Sequence, residues 1–152
     1  MMTTTTIPSP TEPASARQRN EGLWKQMSSL YHAKRVEDAL AYWHEDARYE
    51  AAFPVAGLPA VVEGRAALTE MFAALVSLAE RIEVRDRRFH QTGDPDVAFV
   101  EERFIADLAG GGRYDNRTVM RITFRDGLIA EMLEYAGQHE NEALLGRIRL
   151  AG

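Results

Sequence analysis

Apolar side chains return at steps of three and four residues through the first half of the chain, and at steps of two through the second. Over residues 17–34, Trp24, Met27, Leu30 and Tyr31 form one stripe, the spacing of a helix with a single buried face. Val36, Leu40 and Trp43 predict a second, short helix over 36–43. Leu68, Met71, Phe72, Leu75, Val76 and Ala79 predict a third over 65–79. Between these, residues 49–53 read as extended, and Pro54, Gly57 and Pro59 break the chain.

After Glu80 the period becomes two, with Ile82, Val84 and Asp86 alternating against Glu83, Arg85 and Arg87. Gly93, Asp94, Pro95 and Asp96 compose a turn, because Gly and Asp tolerate unusual backbone angles and Pro fixes its own. Strands are predicted over 97–108 and 113–125, joined through Gly110, Gly111 and Gly112. The second of these is the clearest in the chain. Tyr114, Asn116, Thr118, Met120, Ile122 and Phe124 share one face, with arginines prominent on the other. Asp126-Gly127 signals a tight hairpin into a last strand over 128–136, and a terminal helix is expected over 139–148. Helices followed by a meander of strands predict an α+β domain, with helices on one face of a curved antiparallel sheet and a concave interior where ligands usually sit.

Composition narrows the partners. A chain of 152 residues is enough for one domain, placed at 17–152 behind a Thr/Ser/Pro-rich stretch, 1–16, that is expected to be a disordered leader. The formal net charge of -5 argues against nucleic acid, which would demand a basic face. No apolar run approaches the roughly 18–20 residues that span a membrane, and the start lacks the basic and apolar regions of a secretory signal. Cysteine is absent, so disulfides, thiolate nucleophiles and Cys-ligated metals are excluded, in keeping with a cytoplasmic location. His32, His44, His90 and His139 show no metal-ligand spacing, so no metal site is expected. Arg81, Arg85, Arg87 and Arg88 read as a solvated strand face.

Polar residues that interrupt apolar faces are the candidates for chemistry. Glu134 shares a strand face with Leu128, Ala130, Met132 and Ala136. A poorly solvated carboxyl there has a raised pKa and can exchange a proton near neutral pH, unless it faces solvent or pairs with an arginine. Asn116 sits between Tyr114 and Thr118, where either a ligand or neighbouring backbone would satisfy its amide. Tyr31 lies on the first helix's packing stripe. Glu102 and Arg103 cannot both point inward from a regular strand. Alternation favours Glu102, in line with Val100, Phe104, Ala106 and Leu108.

Four phrases carry a family resemblance. They are Trp43-His44-Glu45-Asp46-Ala47 before the first strand, Glu63-Gly64-Arg65-Ala66-Ala67-Leu68 opening the third helix, Tyr114-Asp115-Asn116-Arg117, and Phe124-Arg125-Asp126-Gly127-Leu128-Ile129-Ala130-Glu131. In this order and spacing, the stretch from about Tyr31 to Gly146 resembles the SnoaL-like polyketide cyclases of the nuclear-transport-factor-2-like superfamily, which also holds ketosteroid isomerases, limonene epoxide hydrolases and phenazine-biosynthesis A/B proteins. The resemblance implies a cone-like, cystatin-like roll, usually homodimeric, with an apolar cavity that works without metal or organic cofactor. It implies a functional carboxylate at Glu134, an oxyanion-donating role for Tyr31 unless that ring is plain core, as aromatic residues on such a stripe more often are, and a pocket place for Arg103 in competition with Glu102.

Departures from the relatives limit the chemistry implied. The steroid isomerase base falls on Ala51 and its neutral acid donor on Met120. The epoxide hydrolase aspartate falls on Ile105, the phenazine proteins' polar groups on Met71 and Leu75, and the histidine beside the cyclase acid on Met132. What remains is an apolar pocket with one good carboxylate, suited to a bulky apolar substrate such as a polyketide or terpenoid intermediate. The expected function is a cofactor-independent cyclase or isomerase of secondary metabolism, folding its substrate against Tyr31, Glu102, Arg103, Tyr114, Asn116, Met120 and Met132 with help from Glu134. The alternative is a non-catalytic binding or assembly module of the same fold, which side chains filling the cone would favour.

Overall fold

The computed structural model describes residues 15–151, with side chains as far as residue 146. The leader expected over 1–16 therefore lies, through residue 14, outside the described residues. The elements are α1 (Ala16–His32), α2 (Val36–Leu40), β1 (Trp43–Ala51), β2 (Val61–Glu63), α3 (Arg65–Ser77), β3 (Ala79–Gln91), β4 (Val97–Leu108), β5 (Arg113–Arg125), β6 (Leu128–Ala136) and α4 (Gln138–Ala151). Helix α1 starts inside the expected leader because Ser15 caps it. The Ser15 hydroxyl accepts from the Gln18 amide, and the Gln18 side chain accepts from the Ser15 amide, forming a capping box. The same end of α1 is tied to the β3–β4 turn, where Asn20 Nδ2 donates to the Pro95 carbonyl at 3.0 Å.

The strands form a six-stranded sheet in the order β2-β1-β6-β5-β4-β3. All neighbours are antiparallel except β1 and β6, which run parallel, so the sheet is mixed. The meander β3 to β6 is the one the alternation predicted. The parallel joint arises because β6 returns beside β1, an earlier strand that is separated from the meander by α3. Strand β1 is longer than the extended stretch expected at 49–53, since Trp43 opens it rather than closing α2. Its outer edge carries the short β2.

Register decides which residues share the concave face. Ala51, Glu134, Met120 and Val100 stand in one row across β1, β6, β5 and β4. The next row holds Ala136, Thr118 and Glu102. In β3 the register slips. Arg85 faces Arg103 and Arg88 faces Glu101, so Asp86 and Arg87 together oppose the single Glu102. This is a β-bulge, and Asp86 adopts φ 55°, the left-handed conformation that Asp tolerates better than most residues.

The helices close the concave side. Trp24 and Met27 of α1, Leu40 of α2 and Leu68 and Val76 of α3 bury against Trp43, Val100, Met120, Ile122, Ile129 and Met132. Each large side chain buried this way contributes roughly 1.5–3 kcal/mol. None of the helices is long and apolar enough to cross a membrane, among the described residues.

Candidate functional site

Side chains do not fill the concave interior. A cavity of about 220 Å³ remains between the sheet and helices α1, α3 and α4. Its wall is mainly apolar, with Trp24, Met27, Trp43, Phe72, Met120 and Met132 prominent. Leu58 and Leu75 also line it and are exposed at the surface, so they mark its mouth.

Glu134 lies on the cavity wall, beside Met120 on β5 and Ala51 on β1. The residue is half-buried, with protein packed closely about its carboxyl. Tyr49 Oη donates a 2.9 Å hydrogen bond to Glu134 Oε1. Loss of solvent pushes the Glu134 pKa above the ordinary carboxylate range; the Tyr49 bond pulls it back and the charge of Glu102 raises it. Tyr31 and Tyr114 line the same region. Burial raises the pKa of Tyr31, of Tyr49 and of Tyr114, the last to about 12, so all three are neutral donors. Tyr31 packs edge-on to Phe72, with ring centroids 5.4 Å apart.

Two expected pocket residues stand elsewhere. Asn116 is buried, yet it does not line the cavity. Its amide is satisfied by protein: Nδ2 donates to Tyr114 Oη at 2.8 Å and to the Gly137 carbonyl at 3.1 Å, while Oδ1 accepts from the Gly137 amide at 2.9 Å. Tyr114 Oη in turn donates to Asn141 Oδ1 at 2.6 Å, which pins the start of α4 across the cavity. Arg103 lies on the outer face of β4, where Nε donates to Asp115 Oδ1 at 2.8 Å. Strand β4 carries no bulge at that point, so simple alternation sends Arg103 outward and Glu102 inward.

Glu102 lines the cavity and is 9% exposed. Burial raises its pKa, against the lowering effect of Arg87, whose Nε donates to Glu102 Oε2 at 3.0 Å. The reading of Arg87 as part of a solvated face is corrected here, because the Asp86 bulge advances the alternation by one residue and brings Arg87 to the concave side. There Arg87 Nη2 also donates to Ser28 Oγ at 2.6 Å and contacts His32 Nδ1 at 3.3 Å.

The cavity thus has two polar regions, Glu134 with Tyr49 and Glu102 with Arg87, Ser28 and His32, joined by an apolar floor. Met120 and Met132 are part of that floor. Sequence reasoning assigned no chemistry to Tyr49, Arg87 or His32. Alternation through 49–53 would have set Tyr49 and Ala51 on one face; nothing in the sequence marks the bulge that inverts Arg87. A carboxyl with a raised pKa, hydrogen-bonded by a neutral phenol in an apolar chamber, keeps its proton to higher pH than an exposed carboxyl does and can exchange it with a bound ligand.

Several solved structures share this architecture. A Bacillus subtilis protein described as a candidate isomerase superposes with a TM-score of 0.80 at 16% identity, covering 88% of this chain and 96% of its own. A candidate polyketide cyclase of Xanthomonas campestris gives 0.68 at 21% identity, with 85% and 98% covered. A Mycobacterium tuberculosis protein in complex with estradiol-17β-hemisuccinate gives 0.71 at 18% identity, with 80% and 96% covered. At such identities the likeness is one of fold. A search among curated proteins finds no match. The SnoaL-like domain family model, however, matches residues 24–132, from the first cavity-lining tryptophan to the methionine two residues before Glu134, and the chain belongs to that family.

Proposed function

We propose that the protein is a cofactor-independent cyclase or isomerase that folds a bulky apolar ketone-bearing intermediate, of polyketide type, inside the cavity, with Glu134 exchanging a proton. The observation that carries this reading is the buried Glu134 carboxyl, bonded to Tyr49 in an open, mainly apolar chamber. Apolar walls hold a ring skeleton by shape, and orientation alone can lower a ring-closing barrier by several kcal/mol. A carboxyl whose pKa is raised toward neutrality serves as base in one half of a proton shuttle and as acid in the other. The absence of an acid at Ala51 and Met120 turns the site away from the steroid isomerase arrangement. The steroid ester bound by the Mycobacterium tuberculosis protein of the same fold supports an apolar polycycle as the kind of ligand. A cytoplasmic homodimer completes the proposal.

A simple ketone tests the acid–base half without the natural substrate. 2-Tetralone incubated in D₂O exchanges its α-hydrogens, and nuclear magnetic resonance follows the rate. The wild-type protein should accelerate exchange and Glu134→Gln should not. Binding of 2-tetralone with no acceleration by the wild type would leave a non-catalytic binding module as the better reading.

A further inference from the structure

The second polar region of the cavity has no part in the proton exchange assigned to Glu134, and its geometry is unusually constrained. Ser28 and His32 are four residues apart on α1, so they present side chains on one helical face. Arg87 Nη2 reaches both. A guanidinium has only donors, so the contact with His32 requires Nδ1 to accept, which places the ring's proton on Nε2. Arg87 cannot swing away easily, because its Nε is held by Glu102. The His32 ring is wedged beside Tyr31 and Phe104, with centroids 5.7 and 6.0 Å away.

Nε2 stands on the edge of the ring opposite Cγ, away from the Nδ1 contact with Arg87. Among the described residues, Nε2 has no hydrogen-bond partner in the protein. His32 is half-buried and is a wall residue of the cavity. Burial, reinforced by the Arg87 charge, lowers the His32 pKa to about 4, so the ring is neutral at physiological pH.

We infer that His32 is a ligand-contacting residue whose Nε2–H, oriented by Arg87, donates to a carbonyl oxygen of the bound ligand, so that the cavity selects apolar ring systems bearing a ketone or quinone oxygen over the plain hydrocarbon. Arg87 is a positioning residue in this scheme, and Glu102 and Ser28 hold it. A neutral donor suits a neutral carbonyl, since it supplies a hydrogen bond without requiring a counter-charge in the ligand. The inference rests on the proposed function only in taking an apolar ligand to occupy this cavity.

Two measurements on the full chain test it. The first is the ¹⁵N spectrum of the histidine-labelled protein. His32 should show the neutral Nε2–H tautomer at neutral pH, and Arg87→Met should shift it toward a tautomer mixture. An Nδ1–H ring or an imidazolium in the wild type would overturn the inference, and this arm needs no ligand. The second uses the tryptophan fluorescence of Trp24 and Trp43, both of which line the cavity, to compare 2-tetralone with tetralin. The wild type should favour the ketone by roughly three- to tenfold, the worth of one neutral hydrogen bond. His32→Phe should bring the two ligands within about twofold of each other by abolishing that bond. A ketone preference that survives His32→Phe overturns the inference. If that preference disappears in Glu134→Gln instead, the carbonyl is held at the other end, and the proposed function stands without this inference. Conversely, a ketone preference that depends on His32, with no α-exchange in the wild type, would uphold the inference and remove the proposed catalysis.

Discussion

Tyr49 Oη and Glu134 Oε1 are 2.9 Å apart across the parallel joint between β1 and β6. The bond runs diagonally, since Tyr49 stands opposite Met132 and reaches one rung further to Glu134, whose own opposite is Ala51. A small residue at Ala51 leaves room for that reach. The carboxyl is consequently pulled in two directions: loss of water favours its protonated form, while the phenol favours the carboxylate. A group balanced in this way can change protonation state during a reaction without a large change in either partner.

Removing the phenol should release one of those pulls. Tyr49→Phe is expected to raise the Glu134 pKa further, because the group that favours its ionised form is gone and burial is unchanged. The ¹³C chemical shift of the Glu134 carboxyl, followed through a pH titration, measures this directly. The variant should also lose about 1 kcal/mol of stability for the buried hydrogen bond. An unchanged or lower Glu134 pKa would mean that Tyr49 does not donate to it.

Glu134→Gln should become increasingly favourable to stability as pH rises. The folded pKa of Glu134 lies above its unfolded value, so the folded state keeps a proton that the unfolded chain releases once pH exceeds about 4.3. The stability this group contributes is full below that pH and is lost as pH climbs through the folded pKa, at a slope approaching about 1.4 kcal/mol per pH unit. Glutamine does not titrate. Urea midpoints of the two proteins, compared from about pH 4 upward, should therefore diverge in favour of the variant. His32 has the opposite dependence, its depressed pKa making stability fall as pH drops, but it is present in both proteins and cancels in the difference. A gap that stays constant with pH would contradict a raised Glu134 pKa.

How far the sequence foretells this site depends on whether period or register does the deciding. The meander was legible because β4, β5 and β6 keep a period of two over 9–13 residues and turn at glycines. The same alternation put Glu102 rather than Arg103 toward the helices. Arg87 was illegible, since one extra residue at Asp86 inverts every later side chain of β3, and an arginine-rich stretch looks solvated on either face. Asn116 shows the converse problem. Its burial follows from the pattern, but whether a buried amide meets a ligand or Gly137 depends on where α4 starts, which strand alternation does not encode. Tyr49 could be placed on a strand, yet its reach to Glu134 needs the parallel pairing of β1 with β6, a contact between residues 85 positions apart.

The two neighbours on β4 should respond differently to truncation. Arg103→Ala removes a half-exposed pair with Asp115 on the outer face, and such pairs are worth about 0–1 kcal/mol. It should leave the 2-tetralone affinity unchanged. Glu102→Ala strips the partner from Arg87, whose side chain is 27% exposed, and leaves its guanidinium with only Ser28 and His32. A cost of roughly 1–3 kcal/mol is expected, below that of a fully buried pair because solvent still reaches Arg87. Urea unfolding and fluorescence binding on both variants check the contrast. An equal cost for the two would show that the Arg87–Glu102 pair is no more than a surface contact.

Asp86 controls whether the second polar region exists at all. Its φ of 55° costs a β-branched residue about 1–2 kcal/mol, whereas glycine adopts that conformation freely. Asp86→Gly should therefore keep the bulge, with stability near that of the wild type and His32 still in its Nε2–H form. Asp86→Val faces a choice. It can keep the strained bulge and lose stability, or it can straighten β3 and carry Arg87 to the outer face, away from Glu102 and Ser28. In the second case Glu102 is left without its cation, so its carboxyl pKa should rise toward the level that burial alone sets, and the His32 tautomer preference should vanish. Carboxyl ¹³C titration and histidine ¹⁵N spectra of the two variants distinguish these outcomes. If Asp86→Val matched the wild type in stability, in the Glu102 titration and in the His32 tautomer, the left-handed bulge would have no part in positioning Arg87.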